Sequence, residues 1–86
     1  MPTLPTDISA RVARDFPAEL CAEVIDSLES FEPRVARCIL QLAGGDIAKF
    51  RHNCGVAHQD PRDVMYWAEY DENDKQIHDF RQAFGS

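Results

Sequence analysis

The chain has 86 residues, nine basic and fifteen acidic, and a net charge of −6 at pH 7. This balance argues against nucleic acid and against an anionic membrane as partners, because both are bound mainly through Lys and Arg. Hydrophobic residues make up 44% of the sequence, which suits one small globular domain over residues 1–86. No apolar run is long enough to cross a membrane, and charged residues interrupt any apolar leader in residues 1–16.

In chain order, the first two predicted elements are short helices. Residues 1–5 contain two prolines and are expected to form a loose arm. Thr6 or Asp7 is predicted to cap a first helix, and Pro17 fits the first turn of a second. The apolar residues of both helices recur at spacings of three and four, as in Ile8, Val12, Phe16, Leu20, Val24 and Leu28.

The third and fourth helices meet at a glycine turn. Glu32-Pro33 opens the third helix, whose apolar stripe is Val35, Cys38, Ile39 and Leu42. Arg34, Arg37 and Gln41 lie off that stripe. Gly44-Gly45 ends this helix because glycine reaches the left-handed conformation, and Asp46 is predicted to cap the next helix, over residues 47–57.

Asp60-Pro61 opens a fifth helix that carries Val64, Trp67 and Ala68. Residues 71–86 are expected to be a polar loop followed by a C-terminal segment. In that segment Ile77, Phe80 and Phe84 fit either a helix or an extended tail that lays two phenylalanines on the bundle. The predicted fold is therefore all-α, a compact single-domain bundle of four to six short helices.

Cysteine and histidine are the first candidates for chemistry. The cysteines are Cys21, Cys38 and Cys54, an odd number without a C-x-x-C pair, which we interpret as reduced, buried thiols of a cytoplasmic protein. Cys54 and His58 share a helical face and could form a metal or thiol site. Because no fourth zinc ligand is evident, a core cysteine beside a half-exposed histidine is the preferred interpretation, and no metal or other cofactor is expected.

The helix over residues 47–57 offers a second alternative, nucleic-acid binding. Lys49, Arg51, His52 and Asn53 could contact phosphates and bases from a helix that follows a glycine turn. Asp46 before it and Asp60 and Asp63 after it would repel phosphate. The sequence therefore makes nucleic acid an unlikely partner.

The end of the fifth helix is rich in aromatic residues. Tyr66, Trp67 and Tyr70 cannot all face one narrow stripe, since adjacent helical positions differ by about 100°. We expect Trp67 to be buried and Tyr66 or Tyr70 to be partly exposed, either as the edge of a wide core face whose hydroxyls reach solvent or as a contact hot spot.

Charged residues surround these aromatic positions. The acidic group Glu69, Asp71, Glu72 and Asp74 is interpreted as a solvated loop, which could also dock a basic partner. In the first turn of the fifth helix, Asp63 is favourable to the helix dipole and Arg62 is not. Arg62 is therefore predicted to pair with a carboxylate from another helix.

Two stretches resemble a family of small uncharacterised bacterial proteins. They are R-V-A-R-C-I-L-Q-L-A-G-G-D-I-A-K-F (residues 34–50) and D-P-R-D-V-M-Y-W-A-E-Y-D (residues 60–71), about half of the chain. Cys38 stands where that family prefers alanine, and Pro61 where it prefers an aromatic residue. The resemblance implies an all-helical soluble fold without assigned catalytic residues, and it leaves Asp46, Arg62 and Asp63 as polar positions to consider.

The sequence thus favours a non-enzymatic, small acidic interaction or regulatory module in the cytoplasm. It would bind a protein partner or self-associate, without a membrane. The interaction candidates are Tyr66, Tyr70, Arg62 and Asp63, and no residue is assigned a catalytic role.

Overall fold

Five α-helices make up the part of the chain that the computed structural model describes, residues 4–84. They are α1 Thr6–Asp15, α2 Ala18–Leu28, α3 Pro33–Ala43, α4 Ile47–Gln59 and α5 Pro61–Glu69. Proline at the first position of α3 and α5 begins these helices where its missing N–H costs nothing. The predicted all-α bundle of short helices is confirmed.

Helix α3 lies at the centre of the bundle. It packs against α1, α4 and α5, while α2 packs on α1. Every residue from Val35 to Leu40 is buried, so α3 contributes most of one helix circumference to the core. A helix that is buried on nearly all sides needs partners for its polar residues as well as for its apolar ones.

The turn between α3 and α4 follows the predicted pattern. Gly44 ends α3 with φ 55°, and Gly45 follows with φ 85°. The Asp46 carboxylate accepts from the amides of Ala48 at 2.9 Å and Lys49 at 3.2 Å, which caps α4. Gly45 also lies against the end of α1, because a Cβ atom there would stand 3.0 Å from the carbonyl oxygen of Asp15.

The start of α1 differs from the prediction. Pro5 is the N-cap residue, and neither Thr6 nor Asp7 caps the helix with its side chain. Leu4 packs against the core, and residues 1–3 of the expected loose arm lie outside the described part of the chain. The predicted cap was wrong because Asp7 already belongs to the first helical turn and its carboxylate binds a residue of α3.

That residue is Arg37, which is only 7% exposed. Its Nε and Nη2 atoms donate to the two carboxylate oxygens of Asp7, at 2.8 and 3.1 Å. Its Nη1 atom donates to the carbonyl oxygen of Phe80 at 3.0 Å. Arg37 does lie off the apolar stripe of α3, but the C-terminal segment covers it, so it is buried.

Arg34, one turn earlier on α3, makes a second ion pair, in which the carboxylate is buried and the guanidinium side chain is 34% exposed. Its guanidinium binds both carboxylate oxygens of Glu69, with Nε 3.0 Å from Oε2. Glu69 is fully buried, and Oε2 also accepts from the amide of Phe80 at 3.1 Å. The interpretation of Glu69 as part of a solvated loop was therefore wrong: it is the last residue of α5, and its carboxylate points inward.

Residues 75–84, which we call the C-terminal segment, contain no helix. Gln76 pairs with Tyr70 in an isolated antiparallel bridge, and the amide of Ile77 donates to the carbonyl of Glu69 at 2.7 Å. Phe80 is buried and Phe84 is packed against the core. Of the two alternatives left open by the sequence, the tail that lays two phenylalanines on the bundle is correct, although it is not extended throughout. The amide of Gln82 donates to the carbonyl of Asp79 at 3.1 Å and turns the chain between the two rings.

We predict unequal effects of alanine at the two turn glycines. Gly44→Ala should lower the free energy of unfolding by about 1 kcal/mol, the cost of a left-handed L-residue. Gly45→Ala should cost about 2–3 kcal/mol, because the new methyl group also pushes against the backbone of Asp15. Urea denaturation of the two variants checks this difference, and equal losses would contradict the close approach of the turn to α1.

Acid should weaken the Asp7–Arg37 pair. Hydrogen bonds from Arg37 lower the pKa of Asp7 below its usual 3.8, although partial burial opposes them. A carboxyl group whose pKa is lower in the folded state than in the unfolded state stabilises the fold fully at pH values above its unfolded-state pKa. This stabilisation is lost as the pH falls through the folded-state pKa. Asp7→Asn should therefore cost about 2–3 kcal/mol near neutral pH and flatten the loss of stability below about pH 4.

The matched control is Glu23→Gln, which removes a solvent-exposed pair with Arg51. Such a pair contributes little, so this variant should keep the wild-type acid profile. Thermal unfolding between pH 2 and pH 7 measures both. An unchanged acid profile in Asp7→Asn would show that the buried pair does not contribute to stability.

Candidate interaction surface

Helix α5 turns its aromatic residues outward. Tyr66 is 47% exposed and Trp67 is 51% exposed, and Tyr70 is half-buried. We call these three residues the aromatic face. The expectation of a partly exposed tyrosine is met, whereas the expectation that Trp67 is buried was wrong.

Trp67 is exposed because other residues occupy the inner side of α5. Val64, Ala68 and Glu69 are its buried residues, and Met65 packs beside them. At about 100° per residue these positions form one continuous side of the helix, and Trp67 falls outside it. The Arg34–Glu69 ion pair lies on this inner side of α5.

Two rings of the aromatic face are stacked. The ring centroids of Tyr66 and Tyr70 are 5.5 Å apart and their planes differ by 12°. This contact between side chains four residues apart holds both rings in place without covering them. The face is therefore partly ordered before any partner binds, which reduces the entropy lost on binding.

Carboxylates border the aromatic face. Asp63 is exposed and lies three and four residues before Tyr66 and Trp67, hence on the same side of α5. The turn that follows α5 adds Glu72 and Asp74, both exposed. The Asp71 carboxylate is engaged within the turn, where it accepts from the amides of Asn73 and Lys75.

Arg62 does not bind another helix. Its Nε and Nη2 atoms donate to the two carboxylate oxygens of Asp60 at 3.0 and 3.1 Å, and its side chain is 83% exposed. The predicted pair with a different helix was wrong, because the N-cap aspartate of α5 lies within reach two residues away. This pairing offsets the positive charge of Arg62 beside the aromatic face.

Cys54 and His58 lack the features of a reactive pair. Burial, with the negative charge of Glu23 as a smaller cause, raises the pKa of Cys54 to about 11. An activated thiol needs the opposite shift. His58 packs its ring on Phe31, with centroids 4.7 Å apart. Within residues 4–84, no group of three or more His, Cys, Asp or Glu side chains is placed to hold a metal ion.

Helix α4 offers few free cations to a phosphate backbone. Arg51 binds the Glu23 carboxylate through two bonds of 2.8 and 2.9 Å. Asn53 is buried and donates to the carbonyl of Lys49. Lys49 and His52 remain exposed on this helix. None of the helices described between residues 4 and 84 combines the length and apolar character needed to cross a bilayer.

Alkylation rates test the state of the thiols. With pKa values raised to about 11 for Cys54 and about 12 for Cys38, the thiolate fraction at pH 8 should be roughly a hundredfold lower at Cys54, and roughly a thousandfold lower at Cys38, than in an unperturbed cysteine. Iodoacetamide labelling followed by peptide mass spectrometry should therefore show slow reaction at both sites, slowest at buried Cys38. Labelling of Cys54 faster than that of free cysteine would restore the thiol-site interpretation.

Comparison with known proteins gave no relative. No family model matches the chain, and neither a curated protein nor a solved structure is significantly similar to it. The resemblance described for residues 34–50 and 60–71 therefore stays a prediction from the sequence.

Proposed function

We propose that this chain is a non-enzymatic protein-interaction module that binds a basic segment of a partner protein through the aromatic face of α5. The observation that carries the proposal is the outward placement of Tyr66, Trp67 and Tyr70 on a domain that has a well-formed core without them. Large aromatic residues are enriched among the residues that dominate binding energy at protein interfaces.

The charges around the face favour a cationic partner. Asp63, Glu72 and Asp74 are exposed, and the nearby Arg62 is paired with Asp60. A guanidinium placed on a stacked tyrosine could combine a cation–π contact with attraction to these carboxylates. Lys75 is the opposing charge in the turn, so the surface is mixed but acidic on balance.

The cellular setting in this proposal is the cytoplasm. All three cysteines are free, as expected for a protein kept in a reducing environment. Nucleic-acid binding through α4 has less support, because Arg51 is already paired with Glu23 and Asn53 is buried.

Trp67 allows a direct test, since it is the single tryptophan and half of it is exposed on the proposed surface. An eight-residue peptide of alternating arginine and serine should change Trp67 fluorescence in a saturable way. Salt should weaken the binding by screening the charges. The lysine–serine peptide should bind more weakly, because lysine lacks the planar guanidinium.

Variants locate the binding. Tyr66→Ala combined with Tyr70→Ala should weaken binding of the arginine peptide by about tenfold or more. The control, His52→Ala, changes an exposed residue of α4 and should bind as the wild type does. Equal binding of a glutamate–serine peptide, or unchanged binding in the double tyrosine variant, would refute the proposal. A change of emission on concentrating the protein alone would instead indicate self-association through this face.

A further inference from the structure

Two residues of the aromatic face stand one helical turn after a carboxylate. Asp63 precedes Tyr66 by three positions and Trp67 by four in α5. Residues at both spacings are neighbours on a helix, with Cβ atoms about 5–6 Å apart. All three residues are exposed, so they form a triangle on the outer side of α5. We call Asp63, Tyr66 and Trp67 the Asp63 triangle.

The direction of helical side chains brings the three corners of the triangle together. Each Cα–Cβ bond tilts toward the helix N-terminus, and long side chains lie over the turn before their own Cα atom. Tyr66 and Trp67 therefore lean toward Asp63, which is one turn nearer to the start of α5. Glu72 and Asp74 follow the helix, so they lie behind these rings. Among these three exposed carboxylates, Asp63 is the one toward which both rings are directed.

The C-terminal segment adjoins the other end of the tyrosine stack. Two backbone hydrogen bonds, of 2.9 and 2.7 Å, flank the bridge between Tyr70 and Gln76, which makes it a non-hydrogen-bonded antiparallel pair. In such a pair the side chains lie on the same face, and the Cα atoms are only about 4.5 Å apart. Gln76 therefore adjoins Tyr70, which is the less exposed tyrosine of the stack. The open end of the stack is at Tyr66.

The charge of Asp63 is available to a partner. Within residues 4–84, Asp63 takes part in none of the ion pairs. Arg62, the adjacent cation, binds both carboxylate oxygens of Asp60. The first turn of α5 thus carries one compensated pair and one further negative charge. A carboxylate beside two exposed rings attracts a cation both by its charge and through the negative faces of the rings.

The arrangement suits a guanidinium group better than an ammonium group. A guanidinium is planar: its face stacks on an aromatic ring, while the N–H groups along its edge can donate two parallel hydrogen bonds to one carboxylate. An ammonium has no flat face and is more strongly hydrated. A carboxylate next to two rings therefore engages both the face and the edge of an arginine side chain.

We propose that the Asp63 triangle is a site for one arginine side chain of the partner protein, whose guanidinium lies against Tyr66 and Trp67 and donates two hydrogen bonds to the Asp63 carboxylate. This inference rests on the proposed function and names the chemical group that the aromatic face recognises. Asp63 determines the specificity of the site, whereas Glu72 and Asp74 add only a diffuse attraction.

The first experiment removes one negative charge at a time. Asp63→Asn should raise the Kd of the arginine–serine peptide about tenfold, because a charge-assisted bidentate contact is lost. The matched controls, Glu72→Gln and Asp74→Asn, also remove one exposed carboxylate and should raise the Kd about twofold or less. Asp63→Glu keeps the carboxylate and should retain most of the affinity. Trp67 fluorescence measures all four variants.

The preference for arginine over lysine separates a specific contact from a general loss of charge. Asp63→Asn should lose most of this preference, and Glu72→Gln should keep it. Equal losses of affinity in these two variants, or an undiminished preference in Asp63→Asn, would overturn the arginine site and leave the proposed function standing. A wild-type protein that binds neither peptide would refute both.

The second experiment tests the aromatic corner of the triangle by isothermal titration calorimetry, because it removes the fluorophore. Trp67→Ala should weaken binding of the arginine peptide about tenfold. Ile77→Ala is the matched control, since Ile77 is 52% exposed and Trp67 is 51% exposed. This control should bind as the wild type does. Both side chains lie outside the core, so helical circular dichroism should be unchanged in both variants. Wild-type affinity in Trp67→Ala would contradict the site.

Discussion

The two arginines of α3 organise this fold. Arg34 and Arg37 lie one turn apart on the central helix, and each binds a carboxylate from a different helix, Glu69 of α5 and Asp7 of α1. Burying such charges is costly unless both ions are paired and their remaining hydrogen-bonding atoms are satisfied. Here the two carboxylates also accept hydrogen bonds from the backbone amides of Phe80 and Phe84. The ion pairs thereby tie three helices and the C-terminal segment into one unit.

Because every polar group in this network is paired, the network specifies how the helices are arranged relative to one another. Among residues 4–84, every buried side-chain nitrogen or oxygen atom has a hydrogen-bond partner. A shift of α1 or α5 along α3 would separate charges that have no alternative partner in the interior. Apolar contacts tolerate small displacements, whereas bidentate pairs such as Arg34–Glu69 do not. The core therefore supplies most of the driving force, and the two pairs fix the relative positions of the helices.

Local signals in the sequence were sufficient for the helices and for most of their ends, with the start of α1 as an exception. The Gly44-Gly45-Asp46 turn and the Asp60-Pro61 start depend on residues that are neighbours in the chain, and both have the predicted geometry. The buried charges depend on pairs separated by 30 and 35 residues, which no periodicity reveals. The error at Trp67 follows from the same cause: the partner of Glu69 was unknown, so the inner side of α5 was assigned to the larger apolar residue.

The candidate surfaces follow from how the chain distributes its polar groups. Ionised side chains occupy the interior between α3 and α5, and aromatic side chains remain outside on α5. Apolar side chains usually lie inside and ionised ones outside, so this arrangement is the reverse. It leaves apolar surface area exposed on α5 while the core remains well packed. By contrast, the thiol of Cys38 is buried and that of Cys54 is half-buried, and in both places the thiolate form is disfavoured.

The bond from the amide of Phe84 to the carboxylate of Asp7 joins residues 77 positions apart. The first helix therefore cannot reach its final environment until residue 84 has left the ribosome. Until then Arg37 lacks the carbonyl of Phe80, and the nascent domain exposes a charged, unfinished side. This domain is thus complete only once the residues around Phe80 and Phe84 have been synthesised and can close over the first and third helices.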